Sequence, residues 1–440
     1  MDWKEKYADK IYTAAQAVAN VKSGEKIIFG DWVSEPPALV EALVNRADEL
    51  KGVEIIHGMS PGPNAYVAPE YQGIFHHTSL FIGPKTRKAY AEKRIDYIGG
   101  TTFSRWPDLF AKNPDLNPHW AFIQVSEPDE EGMCSFGNAC CFSEPAARTA
   151  DRIIAQINPK MPTLGGKKIS LDKIDYIVPA ESGLYTIGRA EIDARTQTIA
   201  DYVAELVEDG ATIQLGFGGT INALAAELKD KRGLGIHTEA MSDAAMELLR
   251  CGAADNSRKS LHRGKTVTCF TMGSHALYDF VDDNPTILHK ALSYTNDLSV
   301  LAANRGMTSI NAALQVDLTG QCASESVGPR QISGSGGQVD TAVGAQMAPG
   351  GKSVITLRST YSAKDPDTGE RRLQSRILPV LPEGAVVTLT RSNTHFVATE
   401  YGAVCLRGLT VPQRAKALIS IAHPDFRDWL EEEFHRIYRL

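Results

Sequence analysis

The 440-residue chain is 43% hydrophobic and 22% charged, with a formal net charge of −7. That balance fits a globular protein of two or three domains with ample core. It excludes a basic nucleic-acid footprint, because no Lys/Arg block breaks the mild acidity, and any binder of phosphates would need a local basic or backbone-amide site.

The chain opens MDWKEKYADK, which is charged and lacks the apolar stretch of a secretory leader. No later run approaches the roughly 18 apolar residues that span a bilayer. Buried strands are predicted at 26–30, 53–58, 94–100 and 120–125, with a helix over 36–50. The Pro/Gly/Ser-containing stretch 179–191 follows a strand and reads as a connection. Beyond it, strands are predicted at 212–218, 266–273, 353–357 and 385–391, a helix at 222–231, and a further strand through Asn311–Gln321 holding Asn311 and Asp317. The C-terminal run from Asp425 reads as an amphipathic helix that packs on the body through Phe426, Trp429, Phe434 and Tyr438. Strands alternating with helices imply α/β layers with mostly parallel sheets.

One pattern occurs twice. Gly24-Glu-Lys-Ile-Ile-Phe-Gly30 precedes a helix with Leu39 and Leu43; Gly210-Ala-Thr-Ile-Gln-Leu-Gly216 precedes one with Leu224 and Leu228. Two occurrences suggest two related α/β halves rather than a short-period array. Seven cysteines, an odd number without a C-x-x-C pair, fit reduced thiols in a cytoplasmic protein. The 11 histidines are scattered, and the pair His76-His77 lacks the spaced carboxylates of a metal site, so none is predicted.

Four segments carry candidate chemistry. Gly216-Phe217-Gly218-Gly219-Thr220 follows a strand and opens a helix, where free N–H groups can meet an anion; the bland alternative is a tight turn. Glu239, in Gly235-Ile-His-Thr-Glu-Ala-Met, falls at a strand's C-terminal end, where open α/β folds bind ligands. A glutamate there is ordinarily a solvated residue, and His237 a satisfied structural one. Ser333-Gly-Ser-Gly-Gly337-Gln-Val-Asp340 has the glycines of an amide nest or of a flexible loop. Asn311 and Asp317 either brace a loop or face a site.

Together these segments resemble the class I CoA-transferases of the acetyl-CoA hydrolase/transferase type. The likeness runs through SGEKIIFGDWVSEPPALVEAL, VSEPDEEGMCSFG, QLGFGG, LGIHTEAMSD, NAALQVDLTGQ, SGSGGQVD, VATEYGAVCLRG and ALISIAHPDFRDWL, nearly the full length. It implies an α/β, NagB/RpiA-like fold in which two related open halves, 1–185 and 186–440, face each other across a CoA-binding cleft, the second carrying the catalytic glutamate. It implies CoA transfer from acetyl-CoA or succinyl-CoA to a short-chain carboxylate such as 4-hydroxybutyrate. Glu239 would form an acyl-glutamyl anhydride and then a glutamyl-CoA thioester. Asn296 and the Gly337 N–H would form the oxyanion hole. Gly216, Phe217, Gly218, Gly219, Thr220, Leu314, Gly337 and Lys364 would contact CoA. Acyl-CoA and carboxylate are the expected partners, with no metal, nucleic acid or membrane, in a homodimer or homotetramer.

The chain departs from the family pattern in places. Where Gly-Ile-Gly-Ala-Ile-Pro is usual it has Gly216-Phe-Gly-Gly-Thr-Ile, and it has Thr341 and Ser335 at usually apolar positions. Added small polar groups would suit a dicarboxylate acceptor such as itaconate or succinate. An acyl-CoA hydrolase and a non-catalytic CoA-binding protein are the rival readings. His237, His395 and Tyr401 receive no role from sequence.

Overall fold

The computed structural model describes residues 2–364 and 368–439. The chain divides into two compact units, Met1–Gly188 with Glu239–Asp243 and Lys265–Thr295, and Arg189–Thr238 with Ala244–Gly264 and Asn296–Leu440.

In the first unit, side chains alternate across a sheet covered on both faces, which makes its central strands mostly apolar runs. Strands β1 (Lys26–Phe29), β2 (Val53–His57), β3 (Phe75–Ser79), β4 (Ile95–Tyr97), β5 (Trp120–Val125), β6 (Arg152–Ile157) and β7 (Tyr176–Pro179) form one sheet in the order β4-β3-β2-β1-β5-β6-β7. Every pairing is parallel. Ile27, Phe29, Ile55 and Phe122 pack on one face with Leu39 and Leu43 of the helix Pro37–Val44. Ile28, Ile56, Ile123 and Ala155 pack on the other with Trp106 and Phe110.

The second unit repeats the strand–helix pattern. Strands β8 (Thr212–Leu215), β9 (Gly235–Ile236), β10 (Thr308–Ala312), β11 (Lys352–Thr356), β12 (Phe396–Thr399) and β13 (Gly402–Cys405) form a sheet in the order β9-β8-β10-β11-β12-β13. It is parallel except for the β12–β13 hairpin. Helix Gly219–Glu227 follows β8 as Pro37–Val44 follows β1. The core gathers Val316, Ile355, Val397, Leu418, Leu430 and Phe434.

Three sequence expectations are corrected. Residues 266–273 are not one strand but two, Thr266–Thr268 and Phe270–Thr271, in separate two-stranded sheets. Residues 385–391 form no sheet strand: Val386 and Val387 are about two-fifths exposed, and only Leu389 bridges, to Cys322. The sheet takes Phe396–Thr399 instead. The segment Asn311–Gln321 is not one strand either. It splits into the end of β10 and a short strand Gln315–Asp317. Asp317 braces its own turn, accepting the N–H of Thr319 at 2.9 Å and of Gln321 at 2.9 Å.

The C-terminal helix Arg427–Tyr438 buries Leu430 and Phe434, while Trp429 is left 40% exposed. Tyr401 lies under the Arg427 guanidinium and edge-on to His423. His395 packs on Phe396 and its carbonyl accepts Leu406 N–H at 2.7 Å. Both residues thus serve the packing of this end of the chain.

Candidate active site

Glu239 follows an edge strand and precedes the two-residue strand Ala240–Met241, which pairs with Phe270–Thr271. Its neighbours His237, Thr238 and Ala240 are buried, whereas Glu239 itself is partly exposed. Its carbonyl accepts the N–H of Cys269 and of Phe270, each at 3.0 Å, and the Thr268 hydroxyl at 3.2 Å. Three donors on one carbonyl fix the backbone from which the carboxylate projects.

The loop 216–220 starts at the C-terminal end of β8. Gly218 has φ +117° and ψ 178°, a conformation essentially reserved for glycine, and no side chain caps the helix that begins at Gly219. Its first N–H groups are therefore available to an anion. Phe217 is 41% exposed. Gly218→Ala is expected to cost about 1–3 kcal/mol of local strain and to raise KM for acyl-CoA roughly tenfold; steady-state kinetics beside a melting curve separate the two effects.

A buried network ties this strand to Gly337. Gln214 Oε1, on β8, accepts the Ser309 hydroxyl at 3.1 Å and Asn311 Nδ2 at 3.3 Å, both from β10. Thr341 accepts from Ser309 and from Asn311 at 3.1 Å each, and donates to Gly337 O at 3.0 Å. Gly337 is the N-cap of helix Gln338–Met347, with no side-chain cap. Thr341 is 1% exposed. Its hydroxyl is committed to this network instead of being offered to a substrate.

Leu314 is held by its backbone, its N–H on Ala323 O and its carbonyl on Arg376, both at 2.9 Å. Asn296 is fully buried, in the link that follows helix Leu292–Thr295 and precedes helix Leu298–Ala302 in the chain. Lys364 is exposed, at the end of a hairpin strand where it pairs with Arg371.

Residues unnoticed in the sequence support the Glu239 segment. Trp32 stacks on Phe270 at 5.0 Å and adopts φ +51°, an outlier for so bulky a residue. Buried Asp31 accepts the N–H of Cys141, of Phe142 at 3.1 Å and of Ser143 at 2.8 Å, and burial raises its carboxyl to about 6. It thereby clamps the loop whose Asn138 carbonyl accepts Thr271 N–H at 2.7 Å. The Asn138 side chain is buried in this loop. The adjacency of Asp31 and Trp32 just after β1 was the only signal available.

Glu35 and His57 form a second buried pair, 3.5 Å apart. Burial raises Glu35 to about 7 and lowers His57 to about 3. Both are therefore neutral in mildly acidic solution, so the pair is not an ion pair there. A carboxyl that holds its proton longer in the folded state loses folding stability as pH rises from its ordinary 4.5 to about 7. Glu35→Gln is expected to remove about 3 kcal/mol of that pH-dependent loss. Denaturant titrations of wild type and variant at pH 5 and 8 check it.

A cavity of about 650 Å³ near Phe136, Glu144 and Lys168 contains none of the predicted residues. Among the described residues, no group of three or more His, Cys, Asp or Glu is placed to hold a metal, and no helix is long and apolar enough to cross a membrane.

Two largely parallel sheets with glycine-rich turns and a glutamate at strand C-termini define an open α/β protein with the layout of a ligand-binding site. The model of the acetyl-CoA hydrolase/transferase N-terminal domain matches residues 1–184, and that of the C-terminal domain 273–434. The chain is 43% identical to the 4-hydroxybutyrate coenzyme A transferase of Clostridium kluyveri, over 99% of this chain and 100% of that protein. The crystal structure of RipA from Yersinia pestis superposes with a TM-score of 0.91 at 32% identity, covering 100% of both chains. That of a 4-hydroxybutyrate CoA-transferase from Porphyromonas gingivalis gives 0.82 at 33%, covering 99% of this chain and 100% of the other. The chain belongs to the acetyl-CoA hydrolase/transferase family, and its fold is that of the CoA-transferases. It is an enzyme that transfers CoA between acyl-CoA and carboxylates.

Proposed function

We propose that transfer runs by a ping-pong route through Glu239. The Glu239 carboxylate attacks the thioester carbonyl; the C–S bond breaks, giving an acyl-glutamyl anhydride and CoA thiolate. The thiolate attacks the glutamyl carbonyl and expels the first carboxylate, leaving a glutamyl-CoA thioester. An incoming carboxylate repeats both steps in reverse, releasing the new acyl-CoA and regenerating Glu239. Each attack forms a tetrahedral oxyanion, for which the Asn296 amide and the Gly337 N–H are the donors. Residues 216–220, Leu314 and Lys364 are the CoA contacts.

The observation that carries this reading is the immobilised backbone at Glu239, a partly exposed carboxylate on a carbonyl held by three donors. Preorganisation of this kind is what a carboxylate nucleophile needs, since a freely moving, fully hydrated one attacks thioesters poorly. The acceptor we favour is a short monocarboxylate of the 4-hydroxybutyrate type. The burial of Thr341 supports this over a dicarboxylate, because it withdraws one of the two polar groups, Thr341 and Ser335, that would meet a second carboxylate.

The test is incubation with acetyl-CoA or succinyl-CoA, reduction with borohydride and peptide mass analysis. Reduction of the thioester at Glu239, with loss of activity that depends on the acyl-CoA, is the expected result. An unmodified Glu239 in protein that binds CoA would overturn it. A carboxylate panel on the same preparation reads acceptor choice, and CoA release without any acceptor would reveal hydrolysis.

A further inference from the structure

The backbone that delivers Glu239 leaves the outer edge of a sheet. β9 bonds only to β8 within its sheet, through Gly235 N–H on Ala211 O at 2.9 Å and His237 N–H on Ile213 O at 3.1 Å. The N–H and C=O of Ile236 therefore point to the open side, where an edge strand has no partner strand. Just before it, Leu234 is bridged by the backbone at Ala254; at Ile236 itself two side chains take the place of a strand. Asn256 Oδ1 accepts Ile236 N–H at 2.8 Å, and Lys259 Nζ donates to Ile236 O at 2.8 Å. Two residues further on, the Thr238 hydroxyl donates to Leu215 O at 3.0 Å.

This arrangement concentrates unfavourable local features on one peptide group. Lys259 is 2% exposed, and burial lowers its ammonium to about 7. Asn256 holds φ +58°. Gly235 must lack a side chain, because a Cβ there would stand 2.3 Å from Lys259 Cγ and 2.9 Å from its Cδ. Stability alone does not call for a buried amine at a sheet edge, since an apolar cover or solvent serves as well. The feature that does call for a fixed peptide is the glutamate three residues downstream.

We propose that Lys259 is a positioning residue for the transfer reaction: by holding the Ile236 carbonyl it sets the course of residues 237–239 and hence the place of the Glu239 carboxylate. The inference rests on Glu239 being the nucleophile. It makes Gly235 a partner in the same device, as the only residue type that lets the lysine stem cross the strand.

The experiment uses the full-length enzyme and three variants: Lys259→Met, Gly235→Ala and Lys259→Arg. It measures kcat, KM for acetyl-CoA or succinyl-CoA, and the rate and final extent of borohydride-trapped label at Glu239. Lys259→Met and Gly235→Ala should each lower kcat and the labelling rate roughly 10- to 100-fold, the scale of a small misplacement of a reacting group. KM should stay within about threefold and the final extent of label near one per site, because binding and folding are not what the lysine serves. Lys259→Arg, which keeps a donor, should recover most of the rate. Labelling of Lys259→Met at the wild-type rate would overturn the proposal. So would a loss of activity matched entirely by a lower final extent of label, which is the signature of a purely structural residue. Wild-type enzyme that takes no label at Glu239 would remove the glutamyl mechanism, and this inference with it, whatever the lysine variants do.

Discussion

Glu239→Gln is expected to lower CoA transfer by roughly four decades or more while leaving the protein folded and able to bind acyl-CoA. Removing a nucleophile from a covalent mechanism leaves only what binding and oxyanion donors supply, and that residue of catalysis is small. The substitution is close to isosteric, and Glu239 is partly exposed on a backbone held through its own carbonyl. Those three hydrogen bonds are made by the main chain and survive the substitution, and glutamine keeps the side chain's volume, so the melting temperature should move little. The variant should take no borohydride label and should not exchange the acyl group of acetyl-CoA with free labelled acetate, since that exchange requires the anhydride. Glu239→Asp sharpens the argument. It keeps the charge but withdraws the carboxylate by one methylene, about the displacement that costs on the order of 100-fold in a positioned reaction. Slow label at position 239 in the Asp variant and none in the Gln variant would separate nucleophilic attack from general electrostatic help. A Gln variant retaining more than about a tenth of the wild-type rate would sink the mechanism.

The segments of the candidate site are legible in the sequence because they fall where strands end. The C-terminal ends of β8 and β9 are marked by glycines and by Glu239, and the echoed Gly24 and Gly210 segments do form matching strand–helix units. Legibility failed where polar residues are buried. β3 reads Phe-His-His-Thr-Ser, which shows little apolar alternation, yet His77 is 1% exposed and bonds Ile55 O at 3.1 Å through Nδ1. β6 opens on Arg152 and contains Gln156, whose amide nitrogen donates to Ala180 O at 3.0 Å. Conversely, Ala385-Val-Val-Thr-Leu looks like a strand by composition but lies outside the sheet, with two valines facing solvent. Thr341 is polar by type, and its partners, Ser309, Asn311 and Gly337, are visible only in the structure. Local pattern reports a residue's type and period, not which distant groups satisfy it.

Asn296→Ala should lower kcat by about 10²–10³, or about 2.7–4 kcal/mol of barrier, the usual cost of losing one oxyanion donor. The side chain is fully buried, in the short link between helix Leu292–Thr295 and the helix capped by Asp297, whose carboxylate accepts the N–H of Ser299 at 2.8 Å and of Val300 at 3.1 Å. That cap belongs to Asp297, so the helix keeps its N-terminal anchor when Asn296 is shortened. A donor used only against the tetrahedral oxyanion contributes nothing to ground-state binding, so kcat and kcat/KM should fall together with KM unchanged. Asn296→Asp separates donor from shape. It fills the same volume but offers a carboxylate to a developing oxyanion, and should be the slower of the two at neutral pH. If both variants matched wild type per labelled site and differed only in melting temperature, Asn296 would be a structural amide and the oxyanion would need another donor. Read per labelled site, which removes the folding cost of placing a carboxylate in a fully buried position, the ordering wild type, then Ala, then Asp follows from charge at the reacting oxygen and so tests the chemistry instead of the fold.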